Sequence, residues 1–315
     1  MIEFNPDVAE ARVRLLASAG PTITPVKGRA IVADLRAGAK RAPELIADLT
    51  GLTGPAGVAA SVPVKVVARP AWARAAAESA SLLAGGILPE SNRFSARIAS
   101  EELGAALAFL APKILGQYDP FAKESDELGP LPEGRLLLVA PNIHAFEQEW
   151  DLDARDVRLW VCVHELTHAV QFAAAPWLRG YVTSRVHDAI TAFEDSATDS
   201  AKETLDELMI LMSVLEGHAQ YVMNNVPVAV MPSVRRIKAA MSTRRSSGNV
   251  ISRWLKERLG LTAKHDQYEE GDSFTSGVVE RGGHDLFNRI FESPHHLPAR
   301  DEIAHPAAWV RRIGD

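Results

Sequence analysis

Apolar residues recur at helical intervals along most of this chain and gather into strand-sized runs at only two places. Residues 1 to about 125 are rich in alanine and read as mostly helical. Val32, Leu35, Leu45, Ile46 and Leu49 fall at near-helical spacing within 31–49. Thr50–Ser61, with its glycines, proline and serine, predicts a loop. Val62–Ala68 predicts a strand, with Pro63 at its start or marking an edge. Glu101–Leu115 predicts a helix, and Gly116–Gly134 a loop carrying Pro120, Pro130 and Pro132. Arg135–Ala140 predicts a second strand, ended by Pro141. A helix capped by Asp153 or Asp151 then runs through Trp160 to about Ala173, and Pro176 stops it. Two more helices are expected near 185–197 and 201–225, with Pro227 and Pro232 marking the end of the second. Residues 233–260 look helical and basic, a solvated face. Pro294, Pro298 and Pro306 predict a meandering surface tail from 282 onward. The fold class expected is mainly α with a small β component (α+β). It forms one domain or two closely packed lobes, 1–125 and 126–315.

Composition narrows the function. Of 315 residues, 47 % are hydrophobic and 23 % charged, enough for a sizeable core without staples. Lys plus Arg number 34 against 40 for Asp plus Glu, a net charge of −6. That balance lacks the basic footprint of a nucleic-acid partner. Cys162 is the only cysteine, so an intramolecular disulfide is excluded and a reducing compartment is expected. The N-terminal stretch carries Glu3 and Asp7 and no apolar core of a signal peptide. No run approaches the roughly 20 apolar residues of a membrane helix. A cytoplasmic protein without a membrane partner is expected.

The chemistry concentrates in Trp160–Phe172, WVCVHELTHAVQF. His164 and His168 are four residues apart in a predicted helix, so both imidazoles project from one face. Both nitrogens can then reach one metal ion, Zn2+ being the expected cofactor, at about 2.0–2.1 Å. Glu165 lies about 100° round the helix, near the ion without ligating it, placed to take a proton from water. A chance match in a chain of this composition has a probability of roughly 2 %. The mid-helix position, free of Pro and Gly, lowers that further.

Two histidines do not complete a catalytic zinc site, which takes three protein ligands and leaves one position open. The continuation after His168 lacks a nearby Gly and third His, so the ligand must come from another element. Leu215–Tyr221, LEGHAQY, is the best source. Glu216 sits at the start of an apolar helix face beside Met212, Val214, Leu215 and Met223, where a lone carboxylate would be costly. His218 is the rival ligand. Otherwise it is an oxyanion donor or a hydrogen-bond partner of Glu216. Tyr118, in the 116–121 loop, is a candidate transition-state donor. Tyr221 reads as core, the tail histidines 284, 295, 296 and 305 lack tight ligand spacing, and Cys162 reads as a buried small hydrophobe. Arg135–Val139 could border a cleft and pair with an extended peptide.

These residues resemble a zincin-like family of actinobacteria and chloroflexi, described as zinc-dependent metalloproteases or hydrolases and often as associated with deazaflavin-coenzyme biosynthesis. The resemblance spans most of the chain: LGQYDPF at 115–121, RLLLVAPN at 135–142, LWVCVHELTHAVQF at 159–172, LEGHAQYVM at 215–223 and the tail to Trp309. It implies a mostly helical zincin-like fold in which 126–315 is the catalytic lobe. By similarity His164 and His168 are zinc ligands, Glu165 the catalytic glutamate and Glu216 the third ligand. Gln220 stands where the family is associated with an acid. Three functions are consistent with these residues. One is a metallopeptidase acting on a peptide. Another is a zinc amidase acting on a small metabolite amide. The last is a non-catalytic, zinc-stabilised interaction module. The sequence leaves the oligomeric state unknown.

Overall fold

The computed structural model describes residues 4–84, 93–122, 125–126, 129–130, 134–195, 197–246 and 267–314. Helices dominate, and a small sheet lies among them. In order the elements are α1 (Pro6–Leu16), α2 (Pro25–Thr50), α3 (Thr53–Ala59), β1 (Val64–Val67), α4 (Arg69–Ala84), α5 (Arg93–Leu110) and β2 (Gly116–Asp119). A short hairpin, β3 (Ser125–Asp126) and β4 (Gly129–Pro130), leads to β5 (Arg135–Val139) and α6 (Ala140–Glu149). Then follow α7 (Ala154–Ala174), α8 (Leu178–Glu194), α9 (Thr198–Asn224), α10 (Val234–Ser246), α11 (Gln267–Asn288), α12 (Arg300–Ala304) and α13 (Pro306–Gly314). This is the mainly α class with a small β component (α+β) expected. No helix among the described residues is long and apolar enough to cross a membrane.

The main sheet has the order β1-β5-β2, with β5 parallel to β1 and antiparallel to β2. All five residues of β5 are buried, as a continuous apolar run in a strand covered on both faces requires. Leu137 and Val139 join a smaller core with α1, α4 and α5, while Leu136 and Leu138 join the larger core of α2, α7, α9 and α11. Strand alternation thus divides the two cores. Arg135–Val139 cannot receive an extended peptide, contrary to expectation, because β1 and β2 occupy both its sides. The outer strands of the sheet are β1 and β2.

Other expectations need correction. The 50–61 stretch contains α3, whose buried Ala56 and Ala59 are small enough to lie against the larger core. The 116–134 stretch contains β2 and the hairpin, because pairing with β5 outweighs local loop composition. Pro141 does more than end β5: it sits in the first turn of α6, where its missing N–H is not needed. The tail packs rather than meanders. Pro294 and Pro306 open helical turns, and fully buried Trp309 meets Phe274 edge-on at 5.7 Å while its Nε1–H donates to the His296 carbonyl at 2.7 Å. Of the basic 233–260 stretch, Val234–Ser246 is helical with Arg235, Arg236 and Lys238 exposed. Residues 247–260 lie outside the described residues.

α7 is the central helix. It is buried nearly all round from Val157 to Phe172, as an interior helix is, and Asp153 caps it by accepting from the Arg155 and Asp156 amides. Arg158 ties it to its neighbours. Its Nε donates to Glu147 of α6 at 2.7 Å and its Nη1 to Asp34 of α2 at 2.6 Å. Both Arg158 and Glu147 are buried, so each charge needs the other. Because α2 packs along α7, the larger core draws on residues from both sides of position 125.

Candidate metal centre

α7 and α9 pack side by side and bring together His164, His168 and Glu216. His164 Nε2 lies 3.5 Å from Glu216 Oε2, and His168 Nε2 lies 3.4 Å from Glu216 Oε1. The three residues' ligand atoms all fall within 4.8 Å of one another, and no other such group occurs among the described residues. The four-residue spacing sets the two imidazoles edge to face, 4.9 Å apart. The donor set fits zinc. Ligand atoms about 2.0–2.1 Å from a tetrahedral ion stand about 3.3–3.4 Å apart, close to the separations of Glu216 from the two histidines.

Electrostatics fit as well. Burial works against every charge here, yet the His168 imidazolium beside it holds the Glu216 carboxyl well below its usual range. Burial lowers His168 too, but the Glu216 carboxylate outweighs it and carries the group up to about 9. A charged His168–Glu216 pair, with His164 beside it, is thus assembled in a largely buried site.

Glu165 sits one residue beyond His164 and faces β2 rather than the three ligands. The Leu115 carbonyl accepts from the Val139 amide, so alternate residues of β2 turn their backbone groups to β5 while Gly116 and Tyr118 turn theirs away. The outward Tyr118 N–H donates to Glu165 Oε2 at 3.1 Å. A β-carbon at Gly116 would lie 2.7 Å from Glu165 Cγ, so only glycine admits the carboxylate against the strand. Burial pushes the Glu165 carboxyl up, the imidazoles oppose that, and the Glu216 charge adds to it. The residue is therefore a stronger base than a solvated glutamate. Gly116→Ala is expected to lower turnover about 10- to 100-fold by displacing Glu165, while zinc content, measured by elemental analysis, stays at the wild-type value.

The remaining sequence candidates lie elsewhere. The Tyr118 phenol runs past Phe172, at 5.8 Å between rings, to within 3.3 Å of Arg179 Nη2. Tyr118 thus meets the site through its backbone. The structure does not bring His218 into the His–His–Glu group. It is fully buried one residue behind Gly217, stacked on Phe287 at 4.7 Å, and burial pushes it down to about 3, so it is neutral. Tyr221 is only partly buried and meets His284 edge-on at 5.7 Å. Cys162 is buried with its Sγ 3.5 Å from the Leu35 carbonyl, and burial pushes the thiol up, which fits a packing role.

Sequence reasoning missed Gln171. Its side chain is buried, with Oε1 2.9 Å from His168 Nδ1 and Nε2 2.8 Å from the Leu215 carbonyl and 3.1 Å from His218 Nδ1. The available signal was its position three residues after His168, on the same helix face. Gly116 offered none. The role of Gly217 was also hidden: a β-carbon there would lie 2.1 Å from the Gly271 carbonyl carbon of α11.

The sequence matches the profile of the zincin-like metallopeptidase family over residues 4–197 and 188–310. No curated protein matches. A crystal structure from Chloroflexus aurantiacus, provisionally described as a hydrolase with a novel fold, superposes with a TM-score of 0.76 at 29 % sequence identity, covering 98 % of both chains.

Proposed function

Because this chain belongs to the zincin-like metallopeptidase family, we propose that it is a zinc-dependent hydrolase cleaving an amide or peptide bond. His164, His168 and Glu216 hold the ion and Glu165 is the general base. The observation that carries this reading is the convergence of the two Nε2 atoms on the two Glu216 oxygens, with Glu165 held beside them by the outward Tyr118 N–H of β2.

Zinc, when bound, supplies Lewis acidity toward the scissile carbonyl and lowers the pKa of water to about 7. The chain does the rest. Glu165, its carboxylate oriented by the Tyr118 N–H, takes the proton of the attacking water and passes it to the leaving amine. Gly116 and Tyr118 present the outward carbonyls of β2, to which an extended substrate can add as a strand. Only three protein ligands converge among the described residues. That count favours a catalytic site with one open position over a closed structural one.

Elemental mass spectrometry of tag-free protein is the first test, with about one zinc per chain expected. No stoichiometric metal after zinc reconstitution would overturn the proposal. Peptide and small-amide libraries, the latter including amides related to redox coenzymes, then distinguish a peptidase from a metabolite amidase. Chelation is expected to abolish hydrolysis. At free zinc about 100-fold above Kd, it should also remove about 2.7 kcal/mol of stability, read as a fall in Tm by calorimetry. Undiminished hydrolysis in metal-free protein would exclude a zinc mechanism.

A further inference from the structure

We propose that Gln171 and His218 are positioning residues that dictate which nitrogen of His168 faces the metal. The inference rests on the zinc reading above and adds to it the hydrogen-bond relay behind the site.

The relay can be assigned proton by proton. The Leu215 carbonyl can only accept, so the Gln171 atom 2.8 Å from it must be the amide nitrogen. That settles the orientation of the side-chain amide. One Nε2 proton goes to Leu215 and the second points at His218 Nδ1, 3.1 Å away. His218 Nδ1 is then an acceptor, and the neutral ring carries its proton on Nε2, which is buried among the aromatic rings with no hydrogen-bond partner among the described residues. Gln171 Oε1 faces His168 Nδ1 at 2.9 Å and can only accept, so His168 carries a proton on Nδ1. What remains for metal is His168 Nε2, the atom beside Glu216. Turning the amide over would set its oxygen against the Leu215 carbonyl and its NH2 group against His168 Nδ1–H.

The surroundings hold each member in place. The His218 ring lies between Phe287, stacked at 4.7 Å, and Phe291, at 5.7 Å. Leu215 precedes Glu216, so one amide secures His168 on α7 and the backbone next to the third ligand on α9. His164 is treated differently: its buried Nδ1 has no hydrogen-bond partner among the described residues. The two histidine ligands are thus not equivalent, and His168 is the one whose tautomer the protein enforces.

Imidazole 15N NMR of the full-length protein loaded with zinc tests this without a variant. The expected spectrum has His168 protonated at Nδ1 and metallated at Nε2, and His218 protonated at Nε2. Metallation of His168 through Nδ1, or His218 protonated at Nδ1, overturns the proposal. Variants provide the second arm. Gln171→Leu is expected to raise the zinc Kd about 10- to 100-fold, measured by chelator competition. Gln171→Glu retains an acceptor for His168 but sets its second oxygen against the Leu215 carbonyl, so it recovers only part of that loss. It removes the donor to His218, which turns to the Nδ1–H form in the same spectrum. An unshifted His218 tautomer in Gln171→Glu counts against the relay. Wild-type protein that binds zinc, beside a Gln171→Leu protein that binds it equally well, overturns this inference alone. Wild-type protein that binds no zinc overturns the zinc reading and this inference with it.

Discussion

Glu165→Gln is expected to cut hydrolysis by about 10²- to 10⁴-fold, the contribution of a positioned general base, while leaving zinc content and Tm at wild-type values. The reason for the separation is geometric. Glu165 lies against β2, where its Oε2 accepts from the Tyr118 N–H, and it is not one of the three residues whose ligand atoms converge. Glutamine keeps the size of the side chain and an oxygen for that hydrogen bond, but it cannot take a proton. The measurement is kcat on the substrate found by the library screen, with zinc quantified on the same preparation. Full turnover would remove Glu165 from the mechanism. Loss of zinc together with activity would instead place Glu165 among the groups holding the ion.

Gly217→Ala is expected to cost about 3 kcal/mol or more, a fall in Tm of roughly 5 °C, and to weaken zinc binding with it. The added β-carbon would lie 2.1 Å from the Gly271 carbonyl carbon, 2.3 Å from its oxygen and 2.7 Å from the Asp272 amide nitrogen. These are backbone atoms of α11, so no side chain can swing aside. The same crossing is tight in the other direction, since a β-carbon at Gly271 would lie 2.0 Å from the Ser213 carbonyl oxygen. α9 and α11 must therefore move apart, and Glu216, the next residue, moves with them. Differential scanning calorimetry of the metal-free protein and zinc competition read the two consequences separately. A metal-free Tm within a degree of wild type would show that the crossing relaxes without strain.

These predictions explain LEGHAQ as three adjacent residues with three tasks. Glu216 faces the histidines, Gly217 permits the helix crossing and His218 turns into the aromatic core behind Gln171. Read as a string, the segment offers Glu216 and His218 as competing ligands. A helix places residues two apart on opposite sides, so the two cannot serve one ion from adjacent positions. Which side faces α7 is decided by where α11 lies, and that contact joins residues far apart in the chain.

The sequence by itself determined the helix that carries the chemistry. Periodicity, the Asp153 cap and Pro176 delimit α7, and the spacing of His164 and His168 puts both on one face, because these are local properties of a single helix. The runs around Val64 and Arg135 likewise announced the strands of a small sheet, and the alanine-rich periodic segments announced a helical protein. What only the tertiary structure decided depends on contacts between distant segments. The short β2 has no independent signature and exists because β5 pairs with it; its backbone then presents Tyr118 N–H to Glu165. Gln171 gains its part in the site from a carbonyl on another helix, and Gly116 and Gly217 matter for what their absent side chains let approach. Hydrophobic period specifies which face of a helix is buried, but the partner that buries it is chosen by packing across the whole chain.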